Sequence, residues 1–307
     1  MISAQVSTAP QGATRGGAVD YNHLTFEEFS RYRPWKFNRV RDVKALNQAI
    51  AQEAVEAIRR AGVEGRRILI VLPVGPLDFS YWARRCNELN VSCEPLVILN
   101  MDEYLDERGR RVPGDHPLSL GRFVQESFLR KLRPALRPNP ANWHLPDPGA
   151  PQRSTELIES FGGADLCYAG FGITGHFAFN DPPPPEEPCD DEAVRHSRTR
   201  TLTIMRETQA QMAMGGTGGN WDIVPKRAIT LGLYELLLSK KLHLTFMRNW
   251  HAGVLRRALF GPVTGRCPGS FVQEHPNVEV TLTELAARLP LLNTLQATGE
   301  KEEMLAV

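Results

Sequence analysis

The sequence predicts an α/β protein, with a Rossmann-like, mostly parallel sheet and helices on both faces. Three observations lead there. Short apolar runs recur at Arg67–Leu72, Pro95–Leu99, Leu166–Ala169 and Lys241–Met247, and such runs suit strands buried on both faces. Between them lie segments with apolar residues at helical spacing, such as Val43, Leu46, Ile50, Val55 and Ile58. The alternation of the two patterns is that of a parallel sheet built from right-handed crossovers.

Taken in order, residues 1–22 read as a flexible tail, rich in Gly, Ala, Ser and Thr and without the apolar stretch of a signal peptide. Residues 23–40 form an extension with Phe26, Phe29, Tyr32, Trp35 and Phe37, too aromatic for a linker and expected to pack on the body. The main domain is expected over 41–290, with a C-terminal tail over 291–307. A helix over 42–61 ends at Gly62, and the strand over 67–72 leads into the turn Pro73-Val74-Gly75-Pro76. A helix over 79–89 and a strand over 95–99 follow. A helix over 117–133 should turn Phe123, Phe128 and Leu132 inward. A Pro/Asn-rich connector over 134–153 precedes a short helix and the strand Leu166–Ala169. Pro182–Pro185 is a stiff loop. Residues 197–203 suggest a short strand, Gly215–Gly219 a mobile loop or hinge, and 228–238 a further element. A strand over 241–247, a helix over 250–260 and a strand over 278–282 complete the pattern. No internal repeat is present.

Lysine and arginine number 36 against 35 acidic residues, for a net charge of +1. This balance gives no bias toward nucleic acid or a membrane surface, so an anionic ligand must be held by local groups. No apolar run approaches the roughly 18 residues of a membrane span. Cys86, Cys93, Cys167, Cys189 and Cys267 show neither Cys-x-x-Cys nor metal-ligand spacing, which implies no metal and fits a reducing, cytoplasmic setting.

Chemistry concentrates in two segments. Gly170-Phe171-Gly172-Ile173-Thr174-Gly175-His176-Phe177-Ala178-Phe179-Asn180-Asp181-Pro182 follows a strand. Its glycines, Gly172 and Gly175 among them, let backbone approach a ligand closely. His176 and Asp181 stand at the strand's carboxyl end, where open α/β sheets bind ligands. Asn100-Met101-Asp102-Glu103-Tyr104 likewise delivers two carboxylates from a strand to a loop. Two such segments in one chain favour an acid/base site. The Gly-x-Gly-x-x-Gly spacing is a weak dinucleotide signal, because His-Phe-Ala-Phe-Asn follows it instead of a helix start, and no cofactor is implied.

These segments resemble the glucosamine-6-phosphate deaminase (isomerase) family, which is related to the 6-phosphogluconolactonases. The resemblance rests on Asn100-Met101-Asp102-Glu103-Tyr104, His116-Pro117-x-Ser119, the Gly-His-x-Ala-Phe-Asn frame and Val224-Pro225-Lys226-x-Ala228-x-Thr230-x-Gly232. Gln273-x-His275-Pro276 adds to it, and together the matches cover roughly residues 40–285. The resemblance implies a sugar-phosphate substrate, and a homo-oligomer, since members are often oligomeric. Asp102 would move the proton between C1 and C2, and His176 would open the sugar ring, oriented by carboxylates on either side. Glu103 stands beside Asp102 as a binding or structural neighbour.

The chain departs from the family in two places. Thr174 stands where the family has an aspartate, and Asp181 replaces a glutamate, so one carboxylate of three is missing and one is a methylene shorter. The phosphate loop, Leu72-Pro73-Val74-Gly75-Pro76-Leu77-Asp78, has lost its hydroxyls. It has also lost an N–H at Pro76 and gained Asp78. Lys226 remains for phosphate, with Arg198 and Arg200 as nearby cations. His116 and His275 read as turn residues, His243 and His251 as core or surface. The leading reading is a sugar-phosphate isomerase or deaminase of glucosamine-6-phosphate type. A lactone hydrolase using His176 as base for water stays open, as does a catalytically lapsed sugar-binding protein.

Overall fold

Leu69 and Val71 point to one side of their strand, Ile68, Ile70 and Leu72 to the other, and all five are buried. That double burial sets the architecture in the computed structural model, which describes residues 20–75 and 77–290. The strands are β1 (Lys36–Val40), β2 (Ile68–Leu72), β3 (Leu96–Asn100), β4 (Asp102–Leu105), β5 (Trp143–His144), β6 (Leu166–Ala169), β7 (Arg200–Thr203), β8 (Arg227–Thr230), β9 (Leu242–Phe246) and β10 (Val278–Thr283). The helices are α1 (Phe29–Tyr32), α2 (Val43–Val63), α3 (Ser80–Leu89), α4 (Leu120–Ser127), α5 (Gln152–Ser160), α6 (Asp191–Arg195), α7 (Arg206–Gly216), α8 (Leu233–Leu237), α9 (His251–Phe260) and α10 (Glu284–Ala287).

The main sheet runs β1-β10-β9-β6-β2-β3-β5 with every pairing parallel. One face packs Leu69 and Val71 with Cys167, Leu244 and Leu255 of α9. The opposite face packs Ile70 and Leu72 with Ile50 of α2 and Trp82 of α3. The α/β, Rossmann-like reading is thus the observed fold, with helices covering both sides. Among the described residues no helix is long and apolar enough to cross a membrane.

A second, antiparallel sheet, β4-β8-β7, was not foreseen. Its strands carry one or two apolar residues each and pair only across long separations, so local sequence gives little sign of them. Tyr104, Phe179, Ile204 and Ala228 form a small core beneath it together with Leu120. This sheet fixes Asp102 opposite Thr230, one residue after the loop leaving β3.

Several boundaries move. The helix expected over 117–133 is α4 followed by a 3₁₀ turn at Leu129–Lys131, because the Ser119 hydroxyl accepts from the Arg122 amide and starts the helix there. Phe128 and Leu132 are buried as expected, but Phe123 is exposed. Gly215 and Gly216, read as part of a hinge, are the last residues of α7, and the turn comes after them at Gly218 and Gly219, both with positive φ. Residues 20–22, grouped by sequence with the tail, belong to the body: Asp20 caps a helical turn over Tyr21–His23, and Tyr21 packs on the core. The rest of that tail, Pro76 and the tail over 291–307 lie outside the described residues.

The aromatic extension contains the edge strand β1 and is anchored by Arg256 of α9. This arginine is fully buried and donates to the carbonyls of Leu24, Ala252 and Ala287, with its guanidinium over the Phe29 ring. Three hydrogen bonds, one from each guanidinium nitrogen, together with the ring beneath it, offset the desolvation of this buried charge.

Candidate active site

The loops after β2, β3, β6 and β9 converge on one cavity of about 320 Å³, lined among others by Gly75, Asp102, Gly172, His176 and Arg248. From β2 the chain adds β3 on one side, while β6 and β9 lie on the other. The cavity therefore opens where the strand order reverses, at the carboxyl ends, the position open α/β sheets favour for ligands.

Successive residues on a strand face opposite ways. Asp102 therefore faces the cavity, and Glu103 faces away. Asp102 is 7% exposed, and its carboxylate has no hydrogen-bond donor among the described residues. Burial, and then the charge of Glu103, push its carboxyl up to about 8. Glu103, by contrast, is saturated. It accepts from the amides of Tyr104, Leu120 and Gly121 and from the Ser119 hydroxyl, at 2.8–2.9 Å. It thereby anchors the N-terminus of α4, where a negative charge is favoured. Its place among the binding residues is corrected accordingly: it lines a separate depression with Arg111 and Trp143 instead of the cavity.

His176 is held from behind. Asp181 Oδ1 lies 2.9 Å from His176 Nδ1. The Thr174 hydroxyl is 3.0 Å from the same nitrogen and donates to Asp181 at 2.9 Å. The Thr208 hydroxyl also donates to Asp181, at 2.7 Å, and the Met205 amide reaches Oδ2. A carboxylate at Nδ1 assigns the proton to that nitrogen and leaves Nε2 as the other, basic position. Burial raises the Asp181 carboxyl, but the hydrogen bond and charge of His176 outweigh it, and the net value lies below the ordinary aspartate range. The shorter side chain of Asp181 thus still closes its contact.

The glycines explain themselves by space. A Cβ on Gly172 would lie 1.9 Å from His176 Cε1, and one on Gly175 2.6 Å from Cys267 Sγ, with Gly175 already at φ +83°. Gly75 lines the cavity at φ +113°. Gly175 supports the loop from behind and is not part of the lining.

Two expected phosphate ligands stand elsewhere. Arg198 lies 4.0 Å over the Tyr234 ring and pairs with Glu159, so α5 and α8 hold it away from the cavity. Lys226 is exposed just before β8 and is absent from the lining; its carbonyl accepts from the Ile204 amide. Arg200 donates to the side-chain oxygen Oδ1 of Asn180 instead.

Sequence reasoning missed Thr208, which reaches the site from α7, and the loop after β9. There His251 Nδ1 accepts from the amides of Met247 and Arg248. Burial, and then the Arg248 charge, hold His251 down to about 3, so the ring is neutral. Nothing local marks Thr208. The loop after β9 could have been found, because every other strand end in the cavity had been flagged. Away from the cavity, Glu53, His243 and Glu279 gather closely enough to hold a cation. The Lys241 ammonium already bridges Glu53 and Glu279 at 2.5 and 2.6 Å, and His243 bonds Glu53 and Thr281, which accounts for the cluster as an internal ion network.

Known proteins share both the pattern and the fold. No protein-family model matches the chain. A glucosamine-6-phosphate deaminase of Rhodopirellula baltica is 29% identical over 257 residues, covering 81% of this chain and 94% of that protein. One of Shewanella loihica is 31% identical over 203 residues, covering 64% and 68%. The solved structure of a monomeric glucosamine-6-phosphate deaminase superposes with a TM-score of 0.70 at 24% identity, over 83% of this chain and 99% of that one. With that identity spread over two thirds or more of its relatives, and the same sheet carrying it, the chain belongs to the glucosamine-6-phosphate deaminase family.

Proposed function

We propose that this chain converts a 2-amino-2-deoxy sugar phosphate of glucosamine-6-phosphate type to the 2-ketose phosphate and ammonia. In this reading His176, backed by Asp181, moves the proton that opens the ring. Asp102 takes the C2 proton of the open-chain aldehyde, which leaves a C1–C2 enolamine, and delivers it to C1, which converts the enolamine to the C2 imine. Water adds to C2 of that imine, ammonia leaves, and the ketone remains at C2. The observation that carries the reading is the pairing, in one cavity, of an uncommitted buried carboxylate with an imidazole held at Nδ1. A carboxyl held near 8 is a competent base at neutral to mildly alkaline pH.

Thr174 favours a second reading, a protein that binds the sugar without turning it over, because a hydroxyl cannot stabilise an imidazolium as a carboxylate does. One assay separates the two: ammonia and ketose phosphate formed from glucosamine-6-phosphate by purified protein. Formation of both products supports the deaminase. Saturable binding with no product, under conditions where a known deaminase turns over, supports the binding protein.

A further inference from the structure

We propose that Arg248 carries the anionic group of the ligand, in place of the loop after β2. This rests on the sugar-phosphate reading of the same cavity and names the residue that would hold the phosphate. Among the described residues that line the cavity, Arg248 is the one lysine or arginine. Its amide is used, donating to His251, but its guanidinium has no ion pair or hydrogen bond among the described residues. Other arginines around the site are committed: Arg198 to Glu159, Arg200 to Asn180, and Arg257 to the carbonyls of Thr174 and Arg266.

The guanidinium lies beside the C-terminal turn of α7, where a Cβ on Gly215 would come within 3.5 Å of it. The negative end of that helix favours a cation there, and Gly215 and Gly216 bring no side chain against it. The loop after β2 offers no competing cation: Pro73, Val74 and Gly75, the residues it brings to the lining, carry no charged side chain.

Placement along the sheet fits one elongated ligand. Arg248 follows β9, His176 follows β6, and Asp102 follows β3, with β2 between the last two. With neighbouring strands about 4.8 Å apart, the β9 and β3 ends are roughly 14 Å apart before side chains reach inward. An anion at Arg248 therefore stays clear of the carboxylate of Asp102. His251, the other basic group on this loop, is neutral and uses Nδ1 for backbone, so it adds no charge.

The test is calorimetric binding of glucosamine-6-phosphate, inorganic phosphate and unphosphorylated glucosamine to the full chain and to Arg248→Gln, Arg248→Lys and Lys226→Ala. A charge-assisted hydrogen bond contributes about 1.5–3 kcal/mol. Arg248→Gln should therefore weaken glucosamine-6-phosphate by roughly 10- to 150-fold and abolish phosphate binding. Glucosamine should be nearly unaffected, Arg248→Lys should restore part of the loss, and Lys226→Ala should change little. Unchanged phosphate and sugar-phosphate affinities in Arg248→Gln, with a wild-type melting profile, would overturn the assignment while leaving the deaminase reading intact. A wild type that binds phosphate through Arg248 but releases no ammonia from glucosamine-6-phosphate would keep the assignment and sink the deaminase. A wild type that binds none of the three overturns the assignment.

Discussion

Asp102 stands buried at a cavity wall without a hydrogen-bond donor among the described residues, and this has a consequence for stability as well as activity. Its folded value, about 8, lies above the unfolded value, so the cost of burying it is absent below the ordinary aspartate range. That cost grows as pH rises toward 8 and is constant beyond. Asp102→Asn should therefore stabilise the protein by up to about 4 kcal/mol near pH 7, with the gain vanishing below about pH 4. If Asp102 is the proton-transfer base, the same change should lower turnover by about 100-fold or more, and wild-type turnover should fall as pH drops below 8. Thermal melts at several pH values, paired with the ammonia assay, separate the two effects; a variant that melts like wild type at pH 8 would show that Asp102 is solvated. Thr174→Asp tests the backing of His176. The new carboxylate would lie within reach of both His176 Nδ1 and Asp181, and a neighbouring anion favours imidazolium. If the chain is a deaminase weakened at this position, ammonia release from glucosamine-6-phosphate should rise in this variant. Unchanged or lower release would show that the position does not supply a missing carboxylate.

At the scale of elements, β4 and α4 are joined by one carboxylate. Glu103 accepts four hydrogen bonds, three of them from α4 and its cap. An amide there can accept with one oxygen only and turns an N–H toward N–H donors. Glu103→Gln should cost about 2–3 kcal/mol, a drop of several degrees in Tm. It also removes the second cause of the raised Asp102 value, so the acidic limb of the pH–rate profile should move to lower pH. A loss of stability with an unmoved pH profile would separate the two carboxylates electrostatically.

Over the whole molecule, Arg256 ties the N-terminal extension, α9 and the end of α10 together through three carbonyls. Arg256→Leu leaves those carbonyls without their donor in a buried setting. The expected loss is about 3–5 kcal/mol, or roughly 6–20 °C in Tm, with faster proteolytic cleavage between residues 24 and 35. Cleavage elsewhere first, or an unchanged Tm, would mean the extension is held by its aromatic packing alone.

The sequence by itself determined the parallel sheet, because strands buried on both faces are rich in apolar residues, as β2, β3 and β6 are almost throughout and β9 is at Leu242, Leu244 and Phe246. It also located Asp102, His176 and the glycine loop, since chemistry at the strand ends is written in adjacent residues. Tertiary structure alone decided the rest. Pairing across long separations made the antiparallel sheet that turns Asp102 in and Glu103 away. Packing from a distant helix brought Thr208 to Asp181. Which cation faces the cavity is likewise a matter of committed partners: Arg198 is taken by Tyr234 and Glu159, while Arg248 is left open. A residue's type gives its chemistry, but whether that chemistry is free depends on neighbours the chain order does not name.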